Sequence, residues 1–302
     1  MEAYLKIPPV LIGAPGKKCC EREKYMNPDR ESIESRTADL FPRIHGRATD
    51  DERRYYTRTV HAAIGEYLER FGARNPAAGG EVLEVGCGGR ASGIFSLAAF
   101  GPASITAVDL SERNVELSRG IADRLGIGNL RVMQGNALAL EFEDGRFDFV
   151  FSNGVIHHTA DPEAAFRELV RVTRPGGYVF LGVYGYGGLW GKVVHPLGVK
   201  IGKIVPLEAA ERFVNRTGFL RSQENSLLDW FYTPVQEFYT PAEVARWFSA
   251  AGLADVGTMK SAKWFFNLGP ATRLLFGHGY IFAMGRKRGN GKTDGTQRTG
   301  AG

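Results

Sequence analysis

Glu81-Val-Leu-Glu-Val-Gly-Cys-Gly-Gly89 decides how this chain of 302 residues is read. Val82 to Val85 have the character of a short buried strand that carries a carboxylate, Glu84, and then breaks into glycine. Glycine at such a turn lets backbone N–H groups approach a bound molecule where a Cβ would collide. One helix later, Ser104-Ile-Thr-Ala-Val-Asp109 reads as a second strand, again ending on an acid. A glycine turn after the first strand and an acid at the tip of the second is the general layout for holding an adenosine ribose.

The alternation continues in both directions. Ser92–Phe100 reads as the intervening helix. Ser111 is the expected N-cap of a helix running to Leu125, with Leu117, Ser118, Ile121, Ala122 and Leu125 as its stripe and Gly126 as its stop. A third strand, Leu130–Met133, leads to Gly135-Asn136-Ala137, and a fourth, Phe147–Ser152, leads to Asn153-Gly154. Asp161-Pro162 opens a helix with Phe166, Leu169, Val170 and Thr173 on one face, and Pro175-Gly176-Gly177 turns into a fifth strand, Tyr178–Tyr184. Repeated β-α-β units predict a parallel sheet covered on both faces. Upstream, Tyr56, Val60, Ile64 and Leu68 recur at helical spacing between Asp50 and Phe71, while residues 1–40 show no sustained period and read as an arm over the ligand.

Past Tyr184 the period is lost over a stretch far longer than an ordinary loop, and aromatic side chains accumulate, among them Tyr186, Trp190, Phe213, Trp230, Phe238 and Tyr239. Such a segment suits a lid over an organic substrate, or alternatively a homodimer interface. Thr240-Pro-Ala-Glu243 is a capping box that restarts regular structure, with a helix to Gly252 and strands at Ala254–Met259 and Tyr280–Arg286. Gly289–Gly302 has nothing to bury and reads as a disordered tail.

Composition sets outer limits. Apolar residues at 43% and charged residues at 24% are ordinary for a soluble globular protein. Residues 286–302 carry five basic side chains against Asp294, which locates +4 of the net +5 there and leaves a nearly neutral body. That distribution argues against a nucleic-acid-binding face. Cys19, Cys20 and Cys87 are too few for a disulfide framework, and no Cys/His cluster points to a metal. Without a leader-like opening or an apolar run of membrane-spanning length, the expected location is the cytoplasm.

The loop Gly86-Cys87-Gly88-Gly89-Arg90, with Glu84 upstream, is not the G-x-G-x-x-G of dinucleotide enzymes. It resembles the E/D-x-G-x-G-x-G loop of class I S-adenosylmethionine (SAM)-dependent methyltransferases. Three further segments are similar to the small-molecule, type 11-like branch of that family: Phe147-Asp-Phe-Val-Phe-Ser-Asn-Gly-Val-Ile-His-His-Thr159, Glu168-Leu-Val-Arg-Val-Thr-Arg-Pro-Gly-Gly177 and Thr240–Leu253. The resemblance spans residues 80–184 and 236–286. It implies an α/β, Rossmann-like methyltransferase fold: a seven-stranded, mostly parallel sheet of order 3-2-1-4-5-7-6, with a lid inserted after the fifth strand. The chain then divides into an N-terminal arm and helical cap (1–75), a SAM-binding core (76–184), a substrate lid (185–239), a completion of the core (240–288) and the tail (289–302).

The same resemblance implies SAM as cofactor, S-adenosylhomocysteine as product, and a small organic acceptor methylated at oxygen, nitrogen or carbon, as in specialised metabolism. Glu84, Gly86, Gly88 and Gly89 would face the methionine end, and Asp109 the ribose. Leu110 would lie on the adenine, Asn136 and Ala137 at its amine, and Asn153 near the methionine. Each has a plainer alternative as a tight turn, helix cap, core residue or turn asparagine. Two positions depart from the pattern: the third glycine falls on Arg90, and the acid expected after the third strand is Asn136, whose amide oxygen still accepts. His157 is the candidate general base, with one histidine of the His157-His158 pair facing the site while the other packs, and a structural or positioning role as the alternative. Tyr184, Trp230 and Tyr239 are candidate substrate contacts, Tyr55 and Tyr56 a candidate cover for SAM with Tyr56 in the core, and His45, His61 and His195 structural. The rival readings are a nicotinamide-dependent oxidoreductase, disfavoured by the loop, a non-catalytic SAM-binding partner protein, and an RNA methyltransferase.

Overall fold

The computed structural model of the chain describes residues 30–45, 49–216, 228–259, 274–275 and 277–289. Its element order is α1 (Arg30–His45), α2 (Asp50–Phe71), β1 (Glu81–Val85), α3 (Ser92–Ala98), β2 (Ser104–Asp109), α4 (Glu112–Arg124), β3 (Leu130–Gln134) and β4 (Phe147–Asn153). A 3-10 turn (Ile156–His158), α5 (Pro162–Val172) and β5 (Thr173–Tyr184) follow. Next come a π turn (Trp190–Val194), α6 (His195–Gly202), α7 (Leu207–Arg216), a short helix at 228–232, α8 (Pro241–Ala250), β6 (Leu253–Met259) and β7 (Tyr280–Lys287).

The seven strands form one sheet in the order β3-β2-β1-β4-β5-β7-β6. The first five run parallel, and β7 is antiparallel to both β5 and β6. Strand alternation splits β1 between two cores. Val82 faces a cluster with Val60, Ile64 and Tyr67 of α2, while Leu83 and Val85 face one with Phe166 and Leu169 of α5 and Phe248 of α8. Glu84 therefore shares the face of Val82, under α2 and α3.

Helix termini follow the sequence signals where these are strong. Asp161 caps α5 through Ala164 N–H at 2.9 Å, with Pro162 at its first position. At α8, Thr240 and Glu243 form the reciprocal capping box. A second box, Thr49 with Glu52, opens α2.

Four expectations are corrected. Residues 30–45 are helical, because α1 is held by contacts distant in sequence that no local period announces. The inner face of α4 is Asn114, Val115, Ser118, Ile121 and Ala122, whereas Leu125 is exposed at 38% and Ser111 makes no side-chain cap bond. The segment after Tyr184 contains helices, and β5 begins at Thr173, five residues before the expected start. His45's side chain, the tail from 290 and Cys19-Cys20 lie outside the described residues. Among the described residues no helix is long and apolar enough to cross a membrane.

Candidate active site

The parallel strands end on a common edge, where β1, β2, β4 and β5 deliver Gly86, Asp109, Asn153 and Tyr184. A polar depression lined by Arg74, Asp148 and Arg174 lies on the opposite edge. There Asp148 accepts from Glu81 N–H at 2.8 Å and from Arg174, a clamp at the strand entry.

The glycine loop leaves β1 with Gly86 at φ 81°. A Cβ there would lie 2.2 Å from Val155 Cγ2, so both conformation and space require glycine. Asp109 organises the loop from the tip of β2. Its Oδ2 accepts from Gly88 N–H at 2.8 Å, and its Oδ1 accepts from Ser111 N–H and Asn114 Nδ2, both at 3.0 Å. Burial raises this carboxyl above its ordinary value, and the three hydrogen bonds oppose the rise. A carboxylate has about four acceptor positions, so Asp109 retains capacity for a ligand hydroxyl.

Glu84 is 3% exposed, and its Oε2 has no hydrogen-bond partner. Its Oε1 occupies the space that a side chain on Gly93 would need, 1.8 Å from where that Cβ would lie. Burial, and then the charge of Asp109, push the Glu84 carboxyl up to about 8. An unpartnered carboxylate oxygen buried at a glycine loop suits a cationic donor.

The adenine-end residues are more occupied. Asn136 Oδ1 accepts from Leu138 N–H and its Nδ2 donates to Glu34 of α1, both at 2.9 Å. Ala137 packs in the core, and Leu110 is half-buried with its carbonyl accepting from Gln134. Asn153 lies between two tyrosines: its Nδ2 donates to Tyr56 Oη and its Oδ1 accepts from Tyr280 Oη, each at 2.7 Å. Tyr56 is thus a support for Asn153, while Tyr55 is 42% exposed.

Beyond β4 the site changes character. His157 is fully buried, and neither of its ring nitrogens has a hydrogen-bond partner. Its ring lies 4.1 Å from that of His158 and 4.4 Å from that of Tyr184. Burial and the neighbouring His158 push its imidazole well below the ordinary value, so it is neutral at neutral pH. Tyr184 donates its phenolic proton to Asp229 Oδ2 at 2.5 Å. His158 donates from Nδ1 to Val235 O at 3.0 Å, and its Nε2 lies 3.8 Å from Asp229 Oδ1. Arg90, at the third-glycine position, is within electrostatic reach of Asp229 and Glu52.

Sequence reading missed Asp229, 1% exposed and central to this cluster. The available signal was an acid inside the apolar run Leu227-Leu228-Asp229-Trp230-Phe231. Trp230 meets Tyr184 edge-on at 6.2 Å. Tyr239 is 1% exposed; its ring packs 4.6 Å from that of Trp247 and its hydroxyl donates to Glu237, placing it in the core beneath α8. His195 and His61 are structural, bonded to Gln236 Oε1 and Ser96 O at 2.8 Å.

Helix α1 touches both halves. Glu34 meets Asn136, Phe41 lies edge-on to His158 at 5.1 Å, and Arg43 pairs with Glu208 of α7 at 2.9 Å. Among the described residues no group of three potential metal ligands converges.

Known proteins share the family and the fold. The methyltransferase-domain family profile matches residues 83–181. A ubiquinone biosynthesis O-methyltransferase of Xanthomonas axonopodis pv. citri is 31% identical over 210 residues, covering 68% of this chain and 76% of that protein. The homologue from Xanthomonas oryzae pv. oryzae is 36% identical over 126 residues, 40% of this chain, and the match spans only 50% of its own length. Among solved structures, the [4+2]-cyclase SpnF aligns with a TM-score of 0.51 at 16% identity, over 86% of this chain and 95% of that one, a likeness of fold.

Proposed function

Because the chain belongs to the class I SAM-dependent methyltransferases, we propose that it transfers a methyl group from SAM to a small organic acceptor. The observation that carries this reading is the buried Glu84 Oε2, unpartnered beside a glycine loop that Asp109 ties in place. Glu84 would take the ammonium, Asp109 a ribose hydroxyl, and the backbone from Gly86 to Gly89 the methionine portion. Asn136 and Leu110 border the adenine end. When bound, SAM supplies an electrophilic methyl on a sulfonium that leaves without acid assistance. The protein's work is alignment, worth about 7–11 kcal/mol where two reactants are held in line.

Tyr184, Trp230, His157 and Asp229 would hold the acceptor. The relatives named as O-methyltransferases favour oxygen over nitrogen or carbon as the methylated atom. A hydroxyl must lose its proton as it attacks. His157, neutral and with an unpartnered ring nitrogen, takes that proton, while Asp229 and Tyr184 fix the surrounding polar surface. The body's near-neutral charge supports a small acceptor over nucleic acid.

Calorimetry with SAM, S-adenosylhomocysteine and NADH tests the cofactor. Binding of the first two is expected, and binding of NADH alone would overturn the reading. Incubation with methyl-labelled SAM and an extract of the producing cells, followed by mass spectrometry, then identifies the acceptor. Tight SAM binding with no labelled product would point to a non-catalytic SAM-binding protein.

A further inference from the structure

Helix α6 and the π turn before it lie on the lid with their polarity reversed from what a surface helix shows. The side facing the protein is made of glycine. A Cβ on Gly198 would lie 2.0 Å from the ring of Phe231, and one on Gly202 would lie 2.4 Å from its carbonyl oxygen. The opposite side carries Leu189, Val193, Leu197, Ile201 and Ile204, at spacings of four, four, four and three. These are exposed by 52%, 52%, 57%, 47% and 82%. The stripe is continuous over the whole helix and extends towards Leu275, whose carbonyl would lie 2.5 Å from a Cβ on Gly188 and whose side chain is also exposed.

Charge runs alongside it. Lys192, Lys200 and Lys203 are exposed on the same segment, and no Asp or Glu occurs between Glu168 and Glu208. Glu208 itself is paired with Arg43. An apolar ridge of this length on a soluble surface marks an interaction site. A second copy of the chain is a poor occupant, because a two-fold contact would bring the same lysines face to face. We infer that this face is a docking surface for an anionic lipid bilayer, with the aliphatic ridge entering the headgroup boundary and the lysines meeting lipid phosphates. The helix lies on the membrane and does not span it. The inference rests on this surface alone and stands apart from the transferase reading.

Flotation of the full chain with vesicles tests it, using phosphatidylcholine alone or mixed with phosphatidylglycerol. Binding to the mixed vesicles is expected, at least about tenfold stronger than to the neutral ones, and weakened by salt. Combined Lys192→Glu, Lys200→Glu and Lys203→Glu should reduce it by at least about tenfold, since each lysine near such a surface contributes appreciably. Leu197→Ser with Ile201→Ser should reduce it comparably. All five side chains are exposed, so melting temperature and SAM affinity should hold in both variants and serve as controls. Failure of the unmodified chain to float with mixed vesicles would overturn the inference, as would retention of binding by both variants. A dimer seen by sedimentation and abolished by Leu197→Ser with Ile201→Ser would assign the face to a second copy instead.

Discussion

The proposed cofactor end of the site lies within one stretch of chain, from Glu84 to Asn136, whereas the proposed acceptor end gathers His157, Tyr184 and Asp229 from a turn, a strand and the short helix at 228–232. The first half works through backbone N–H groups and carboxylates fixed at strand tips. The second works through side chains whose meeting depends on how the lid packs. In the first half burial and the charge of Asp109 raise the Glu84 carboxyl, so that ionising it calls for a cationic partner. In the second half burial keeps His157 neutral, with both ring nitrogens unpartnered. A fold shared by many chemistries can hold one half constant and vary the other.

This division can be broken by experiment. The largest effect is expected at the acceptor end: His157→Gln should lower turnover by about a hundredfold, while SAM affinity changes less than about twofold. Equal loss of both would place His157 in the cofactor half. Next, Asp109→Ala removes three hydrogen-bonded contacts and the ribose acceptor together, and should weaken SAM binding about ten- to a hundredfold by calorimetry. A folded variant with normal SAM affinity would refute the assignment.

Glu84 sharpens the comparison through pH. Its folded-state value of about 8 exceeds the ordinary 4.5, so between those limits the unfolded chain ionises there and the folded chain does not. Stability without ligand should therefore fall as pH rises from 4.5 to about 8, then level off. Glu84→Gln should flatten that part of the melting profile and weaken SAM binding about tenfold. SAM binding near neutral pH should release a proton in the unmodified protein as the ammonium ionises Glu84, measured by calorimetry in buffers of different ionisation enthalpy. Equal proton release from the Gln variant would remove Glu84 from that role.

The smaller effects test the lid's edge and the tail. Tyr239→Phe deletes the bond to Glu237 and should cost about 1 kcal/mol in stability with the acceptor's KM unchanged. A raised KM would restore Tyr239 to the pocket wall. Deletion of residues 290–302 should leave melting temperature and turnover nearly unaltered, because that sequence lacks apolar anchors.

The strands, their loops and most helix ends were legible in the chain because they are local. A short apolar strand, a glycine with a left-handed φ and a capping box each occupy a few consecutive residues, and short-range sterics and hydrogen bonding determine them. Glu84, Gly86 and Asp109 come from such signals. The physical state of these residues was not legible. That Glu84 Oε2 lacks a partner, and that Asp109 holds Gly88, depend on α2, α3 and α4 closing over them.

Helix α1 and the lid resisted reading for a related reason. Residues 30–45 are held by Asn136, His158 and Glu208, all about a hundred or more positions away, so no local period marks them. Tyr239 and Trp230 are both aromatic residues of one segment, yet packing buries the first against Trp247 and leaves the second beside Tyr184. Asp229 shows the division most sharply. As a letter it is an acid in an apolar run, and only the tertiary structure brings it against Tyr184 and His158, because burying that charge requires donors from other elements. Sequence determined the strands, turns and caps of the frame, since backbone geometry is a short-range property, and it carried the strand order only through its resemblance to a family. Tertiary packing decided which side chains share the acceptor space, since desolvation and pairing exist only once distant segments meet.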